Sequence, residues 1–384
     1  MAANHPLGAY HLKDWPFREV PEPSRCTFIA GRPKLQQTLD RLVAGSGNPV
    51  SSIYLFWASL GAGKTHALYY LMNRMSSREL YLPIYTEYPE SPAGFVEIYE
   101  RLARNIDWDV VADTCFTLFV EAGGETAKGL NQIKLVQPDI YRSFFLLAEG
   151  EDKAKAQLAR RWLRGEELSR GELRETGLAQ NLKSAGDCAS AISVLAKLLG
   201  LRQKMSGDAQ APFRLVWVID ECQRLQNTSA RVNQEVNAAL QSTFNATPDH
   251  LTIILSFTGK PEKKFPSWLK PELADRIGAK NVILLPPMNK DEAKRFLQDL
   301  LDHYRDVGKA KGALFPFSDG AVEYMLKRLV KGDLNAFGLG ALVEQEGIRP
   351  RALIKCCQAI LEEHVEQQAS LPIEEKFAAT VLPK

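Results

Sequence analysis

A glycine-rich loop followed by a lysine and a threonine is the strongest chemical signal in the sequence. Small residues let such a loop turn its backbone N–H groups toward phosphate oxygens, and the helix that follows adds the partial positive charge of its N-terminus. Ala58 stands where the usual pattern has its first glycine. Lys64 is expected to reach the β- and γ-phosphates and the Thr65 hydroxyl to ligate Mg²⁺. The predicted phosphate-binding residues are Gly61, Ala62, Gly63, Lys64, Thr65 and His66.

Two adjacent carboxylates, Asp220 and Glu221, follow the apolar segment Leu215 to Ile219. Strand alternation points the two side chains in different directions. Beside a phosphate loop at the C-terminal edge of a parallel sheet, Asp220 is expected to hold the Mg²⁺ shell and Glu221 to activate the attacking water. The alternative interpretation is a strand that exits into an acidic turn. Together the two motifs predict an enzyme, a Mg²⁺-dependent ATPase with ATP and Mg²⁺ as cofactors.

These motifs resemble those of the AAA+ ATPases, and within them the initiator and regulator branch of origin-recognition-type ATPases and transposition regulators. The resemblance runs from about Phe28 to about Glu363. It begins with Phe28-Ile29-Ala30-Gly31-Arg32, which is similar to the segment that lies against the adenine in that branch. The resemblance implies that Arg32 belongs to the nucleotide site and that the chain assembles into a homo-oligomer, as a ring or filament.

In that family the strand after the carboxylate pair ends in a polar residue that senses the γ-phosphate. Here this strand supplies Thr258, or Ser256 one alternation earlier, and a strand-end hydroxyl without such a role is the alternative. Related ATPases also present an arginine to the ATP of a neighbouring subunit, and Arg276 matches that position. A permanently charged guanidinium suits contact with a transferring phosphoryl group. A surface pair between Asp275 and Arg276 is the other interpretation.

Gly347 to Leu353 looks like the start of the family's lid helix, whose arginine returns to the nucleotide. The resemblance implies that Arg351 takes this role, with Arg349 as the fallback and an exposed helix-start arginine as the alternative. Pro350 fits the first helical turn even without the family, because proline presets the backbone there.

Five short apolar segments must position these residues, because each is a continuous apolar, β-branched or aromatic run bounded by polar or turn residues. Continuous hydrophobicity, with helical patterns between most segments, is typical of a parallel sheet covered on both faces. The predicted fold class is therefore α/β, a three-layer P-loop NTPase core with a helical insertion and a C-terminal helical lid. The predicted strands are Ser52 to Trp57, Tyr81 to Tyr85, Leu215 to Ile219, Thr252 to Phe257 and Val282 to Leu285.

The domain boundaries follow from changes in these patterns. We expect an extended strap over residues 1–26, the ATPase core over 27–287, a helical insertion at about 108–205, the lid over 288–366, and a loosely held tail over 367–384.

Two surface segments could contact partners. Residues 160–167 mix arginines with Trp162, and residues 260–270 mix lysines with Phe265 and Trp268. The second pattern suits a nucleic-acid backbone with stacked bases or a partner protein. An ordinary solvated surface is the alternative for both.

Composition bounds the functional classes only broadly. A net charge of +2 over 384 residues neither supports nor excludes DNA as a partner. The six cysteines include no CxxC pair that would indicate zinc. We find no signal peptide and no run of 18 apolar residues, so we expect no membrane association and a cytoplasmic location.

The first functional hypothesis is an ATP-dependent oligomeric regulator or loader that binds duplex DNA and recruits or licenses a partner enzyme, such as a nuclease, methylase or transposase. Two insertion segments, residues 162–166 and 172–178, resemble BREX-type phage-resistance ATPases, which indicates antiviral defence as another context besides transposition. The alternative is a nucleotide-gated scaffold or switch that hydrolyses little ATP and binds no DNA directly.

Overall fold

A computed structural model describes residues 7–45, 48–78, 80–149, 152–206, 213–259, 265–306, 312–331 and 347–382. Among these residues a single sheet has the strand order β2-β3-β4-β1-β5, and every neighbouring pair is parallel. Each predicted strand is confirmed to within two residues at both ends. The strands are β1 (Ser52–Ala58), β2 (Tyr81–Glu87), β3 (Arg214–Asp220), β4 (Leu251–Thr258) and β5 (Val282–Leu285).

Helices make up most of the rest of the described chain, and none of those described is long and apolar enough to cross a membrane. Before β3 they are α1 (Pro33–Gly45), α2 (Lys64–Ser76), α3 (Phe95–Arg104), α4 (Trp108–Glu121), α5 (Gly124–Val136), α6 (Pro138–Ala148), α7 (Lys153–Leu163), α8 (Arg170–Thr176) and α9 (Ala185–Ser206). After β3 they are α10 (Ala230–Ala246), α11 (Pro271–Ile277), α12 (Lys290–Tyr304), α13 (Asp319–Lys331), α14 (Pro350–Glu366) and α15 (Glu375–Val381).

The sheet is the middle layer of three. All residues of β3 and all but the last of β4 are buried, because these central strands have a neighbour on each side and helices on each face. Along β1, Leu55 and Trp57 pack toward α3, α10 and α11, whereas Phe56 and Ala58 pack toward α1 and α2. The predicted three-layer α/β P-loop NTPase core is confirmed.

The helices α4 to α9 occupy the predicted insertion, and their apolar residues join the same core as one face of the sheet. The structure shows whether residues 160–167 form the partner surface that the sequence left open. Trp162 is buried and its indole N–H donates to the Gln180 carbonyl at 2.8 Å, while Arg160 and Arg161 form ion pairs with acidic residues of the insertion. The tryptophan is therefore a core residue beside an ion-paired helix face, and it offers no partner surface.

The lid helices α12 to α15 enclose a second core, which also contains the N-terminal strap. Tyr10 and Phe17 are buried in this core, and the Tyr10 hydroxyl lies 2.9 Å from Nδ1 of His364 on α14. Leu12 forms an antiparallel bridge with Arg305 directly after α12. The aromatic residues of the strap thus dock on the lid.

The last residues differ from the loosely held tail that we predicted for 367–384. Ile373, Ala378 and Leu382 are completely buried in the lid core, and Ile373 forms a parallel bridge with Phe317. The helix in this segment, α15, has only seven residues and packs against α13 and α14. Two turns of helix give too few repeats for hydrophobic periodicity to reveal them, and their burial depends on distant residues.

Gly31 contacts the lid helix α12 so closely that there is no room for a side chain at this position. Its φ of +66° is left-handed, a Cβ would lie 2.6 Å from the Phe296 Cα on α12, and its N–H donates to Asp299 at 2.8 Å. Backbone atoms cannot move aside as a side-chain end can. The segment from Phe28 to Arg32 is therefore fixed against the lid.

Gly31→Ala is expected to lower the free energy of unfolding by about 1–3 kcal/mol from the left-handed backbone alone, with the contact to α12 adding to the loss. Urea denaturation of the two proteins measures the difference. Gly8→Ala is the matched control, because a Cβ at Gly8 meets nothing within 4 Å. Equal stability of the Gly31 and Gly8 variants would contradict the tight contact.

Candidate functional site

A cavity of about 450 Å³ lies where the C-terminal ends of β1, β3, β4 and β5 face the lid. This is the edge at which open parallel sheets bind ligands, and the volume is in the range of small-molecule sites. The strap, the segment from Phe28 to Arg32, the glycine loop and the lid helices α12 and α14 all contribute to its wall. The predicted site residues that line it are Arg32, Gly61, Ala62, Gly63, Lys64, Thr65, His66, Glu221, Thr258 and Arg351.

The glycine loop has the backbone that its sequence requires. Gly61 (φ +73°) and Gly63 (φ +91°) are left-handed, and Gly63 is the N-cap from which α2 starts at Lys64. Ala58 is the last residue of β1 and its methyl group is buried in the core, so this position accepts an alanine. Strand, loop and helix occur in the order that presents N–H groups to an anion.

Lys64 bridges the two carboxylates. Its Nζ donates to Asp220 Oδ1 and to Glu221 Oε1, the latter at 2.7 Å, and both Lys64 and Asp220 are more than 90% buried. Our expectation that the carboxylates point in different directions is wrong, since both contact the same ammonium group. Glu221 has left the strand and is left-handed (φ 60°, ψ 30°), so strand alternation does not apply to it.

Asp220 has further partners that the sequence did not reveal. The Tyr85 hydroxyl on β2 donates to Oδ2 at 2.8 Å, and the Glu221 N–H donates to Oδ1 at 2.7 Å. Burial raises the pKa of Tyr85 well above its ordinary value, so this hydroxyl keeps its proton. Tyr85 gives no signal in the sequence, because only the pairing of β2 with β3 brings it beside Asp220.

The Thr65 hydroxyl forms no hydrogen bond with the described residues and lines the cavity. One hydroxyl and one carboxylate, completed by water and phosphate oxygens, are the donor set that Mg²⁺ prefers. Thr65 and Asp220 therefore fit the ion, provided that Lys64 releases Asp220.

The structure distinguishes the two candidate sensor hydroxyls. Thr258 ends β4 beside Ala58 and lines the cavity, whereas Ser256 is completely buried within the strand and does not line it. Gln223, which sequence reasoning missed, connects Thr258 to Glu221. Its Oε1 accepts from the Thr258 N–H at 2.9 Å, and its Nε2 donates to Glu221 Oε2 at 2.5 Å.

The lid helix α14 begins on the glycine loop. The Arg351 N–H donates to the Gly61 carbonyl at 3.3 Å, and a Cβ on Gly61 would lie 3.5 Å from the Arg351 Cβ. Arg351 lines the cavity, whereas Arg349 is the N-cap of α14 and does not. The structure thus brings the predicted lid arginine to the loop.

Arg32 and His66 also line the cavity. The Arg32 guanidinium donates to the Pro286 carbonyl at 2.8 Å, and burial lowers its pKa to about 10, which leaves it charged at neutral pH. His66 Nε2 lies 2.8 Å from the Phe28 carbonyl, which only accepts, so Nε2 carries the proton. Its Nδ1 lies 3.3 Å from Cys26 Sγ, whose thiol also lies 3.3 Å from the Glu22 carbonyl. The His66 ring therefore ties α2 to the strap.

Arg276 lies apart from this cavity. It is exposed in the last turn of α11, and the described residues include no ion pair between it and Asp275. The surface-pair interpretation is therefore not supported among the described residues.

The basic loop is only partly within the described residues, since Lys260, Lys263 and Lys264 lie outside them. Trp268 is 2% exposed and packs edge-on against Phe257 with ring centroids 5.5 Å apart. It is therefore a core residue and cannot stack on a base from outside.

No family model and no curated protein matches this sequence. Among solved structures, the Aeropyrum pernix ORC2 protein in ADPNP–ADP complexes is similar with a TM-score of 0.51 and 13% identity, over 97% of this chain and 71% of that one. The Aeropyrum pernix ORC1 protein in complex with DNA gives 0.44 and 13%, over 98% and 68%. Cdc6p from Pyrobaculum aerophilum gives 0.46 and 13%, over 90% and 65%.

The chain thus spans about two thirds of the length of these proteins. The likeness to the ORC2 protein shows that the chain has the fold of an origin-recognition-like AAA+ ATPase, as the glycine loop and the carboxylate pair predicted. The resemblance to BREX-type ATPases stays a prediction.

Proposed function

We propose that this chain binds MgATP between its core and its lid and hydrolyses it. One observation supports this most strongly: Lys64 contacts both Asp220 and Glu221 at the end of the glycine loop, and Lys64, Glu221 and the lid arginine Arg351 line the same cavity. A lysine beside two carboxylates at a helix N-terminus has the parts needed to bind a polyphosphate and to activate water. The similar ORC2 protein was solved as ADPNP–ADP complexes, which supports a nucleotide as ligand.

Each group at the phosphate end has a proposed task. Lys64 moves from the carboxylates to the β- and γ-phosphates, which frees Asp220. Asp220 and the Thr65 hydroxyl would then hold Mg²⁺. When bound, Mg²⁺ neutralises charge on the phosphate oxygens. Glu221 orients the attacking water and accepts its proton, and Thr258 contacts the γ-phosphate from the end of β4.

The remaining groups bind the nucleotide and sense it. The N–H groups of Gly61, Ala62 and Gly63 surround the phosphates at the start of α2. His66 supports the loop through its bond to Phe28, while Arg32 lies on the base side of the cavity. Arg351 contacts the phosphates from α14, so occupancy of the site changes how the lid packs on the core.

The biological role that we propose is an oligomeric, DNA-associated regulator or loader acting with a partner enzyme, in transposition or phage defence. Arg276 supports assembly, because an exposed arginine without a partner among the described residues is free to reach a neighbouring subunit. The similar ORC1 protein was solved in complex with DNA, and a DNA role for this chain is a proposal that the experiment below separates from ATP turnover.

Steady-state ATP hydrolysis, measured at several protein concentrations with and without duplex DNA, tests the proposal. Specific activity that rises with protein concentration supports a site shared between subunits. Stimulation by DNA that weakens steeply with salt supports direct DNA binding. Turnover at the level of a Glu221→Gln blank under every condition would contradict hydrolysis.

Arg276→Ala is expected to lower hydrolysis by at least about 1,000-fold while ATP still binds, because a guanidinium acting on a neighbour's phosphate stabilises only the transition state. Mixing this variant with Glu221→Gln subunits should restore part of the activity, since some interfaces then combine an intact Glu221 with an intact arginine. The matched control is Arg231→Ala, which removes an exposed arginine from α10. If mixing restores nothing, the shared site is wrong.

A nucleotide-gated switch with little hydrolysis is the second candidate. The observation that favours it is the double ion pair of Lys64, which occupies one oxygen of each carboxylate. Tight ATP binding with turnover at the blank level, and assembly that depends on ATP alone, would favour the switch.

A further inference from the structure

We infer that Gln223 is a positioning residue that fixes the carboxylate of Glu221 and links it to the end of β4. This inference rests on the proposed function. Gln223 belongs to the short 3₁₀ segment Cys222–Asn227 that follows Glu221, and its side chain turns back into the cavity. Its amide lies between the proposed base and the strand that carries the proposed sensor.

The chemistry of its two partners determines the orientation of the Gln223 amide. The Thr258 backbone N–H can only donate, so the group that faces it must be the amide oxygen. The amide NH₂ then faces Glu221, whose ionised carboxylate can only accept. A flipped amide would place two donors together at one end and two acceptors at the other. The bridge therefore exists in one orientation.

The two oxygens of Glu221 have different partners. Oε1 accepts from Lys64 at 2.7 Å and Oε2 accepts from Gln223. When Lys64 moves to the phosphates, Oε1 loses its partner while Oε2 keeps the amide. Gln223 is then the side chain that still holds Glu221, so Oε1 is the oxygen that faces the attacking water.

The backbone of Glu221 explains why such an anchor is needed. This residue is left-handed and lies outside the strand, and its side chain is about one quarter exposed. Without a partner a glutamate of this kind samples several rotamers, and ordering it costs free energy. The other end of the bridge is a main-chain N–H on β4, which the sheet keeps in place. The bridge thus holds Glu221 against a fixed point of the sheet.

Two substitutions separate positioning from support of the fold. Gln223→Met keeps the volume and removes both hydrogen bonds. Gln223→Glu keeps an acceptor for the Thr258 N–H but places a second carboxylate against Glu221. We expect both to lower kcat by about 10–100-fold, as for other residues that orient a reacting group, with KM for ATP changed by less than about threefold. The matched control is Gln226→Met, which changes an exposed glutamine of the same segment.

A double-mutant cycle completes the test, with kcat, KM and urea denaturation measured for each protein. In a Glu221→Gln background the substitution of Gln223 should have no further effect on turnover, because a positioning residue acts only through the group that it positions. A kcat for Gln223→Met equal to that of the Gln226 control would overturn the inference. So would an undiminished effect in the Glu221→Gln background, or a loss confined to stability and KM.

The outcome for the unsubstituted protein distinguishes the two proposals. If it hydrolyses no ATP above the Glu221→Gln blank, the proposed hydrolysis fails and the role of Gln223 fails with it. If it hydrolyses ATP and Gln223→Met does so equally well, only the role of Gln223 fails.

Discussion

Lys64→Ala is expected to lower ATP affinity by at least about 100-fold, which corresponds to the loss of one charge-assisted contact of about 3 kcal/mol. Lys64 is the cation that starts α2 at the cavity, and among the described residues no other lysine lines the cavity. Titration with a fluorescent ATP analogue measures the dissociation constant, and the same samples should show no turnover.

The ion pairs of Lys64 require a control for folding. Removing the ammonium leaves the buried Asp220 without a counter-charge, and breaking a buried pair is destabilising by about 3–5 kcal/mol. Lys64→Arg keeps a positive charge beside the carboxylates, while its planar guanidinium does not replace an ammonium between two phosphates. We expect this variant to fold and still to lose ATP. Lys128→Ala removes a lysine that is 75% exposed on α5, and it should bind as the unsubstituted protein does. Unchanged affinity in a folded Lys64 variant would contradict the site.

Glu221→Gln is expected to lower the hydrolysis rate by about 100- to 10,000-fold while ATP still binds, because the amide has the shape of the carboxylate and cannot accept a proton. ATP affinity should stay equal or rise by up to about fivefold, since the substitution removes one of the two anions that hold Lys64 in the free protein. Single-turnover hydrolysis and equilibrium binding measure the two effects separately.

The matched control for this variant is Glu125→Gln, which neutralises a glutamate that is 85% exposed on α5 and distant from the cavity in the fold. Its turnover should equal that of the unsubstituted protein. Turnover by Glu221→Gln within about tenfold of that control would be too large for a protein without its general base. Another residue would then have to activate the water.

The parts of the fold that the sequence predicted are those with a local cause. A continuous apolar run marks a buried strand whatever surrounds it, so β3 and β4 were located to within one residue at each end. Gly61, Gly63 and Lys64 are adjacent in the chain, so their chemistry could be read without the structure. The seven residues of α15 carry no such local mark, since what makes them a helix of the core is contact with α13 and α14.

In the candidate site, too, the residues that depend on distant contacts could not be predicted from the sequence. Tyr85 and Gln223 reach Asp220 and Glu221 from another strand and from a 3₁₀ turn, and neither residue type indicates catalysis by itself. The sequence offered Thr258 with Ser256 as the alternative, and only the structure separates them, because Ser256 is buried within the strand while Thr258 lines the cavity. The sequence placed Trp162 either on a partner surface or on a solvated helix face, because a tryptophan among arginines carries no local sign of burial.

The strap limits how far the cleft above the proposed nucleotide site can open. Phe17 is embedded in the lid core, and the Asn73 amide on α2 donates to the carbonyls of Pro23 and Cys26 at 2.6 and 3.1 Å. The chain between Phe17 and Pro23 spans six residues, which reach about 20 Å when fully extended. As long as both attachments hold, the lid can move away from the core only by the length of this segment, which limits the access of any ligand to the cavity.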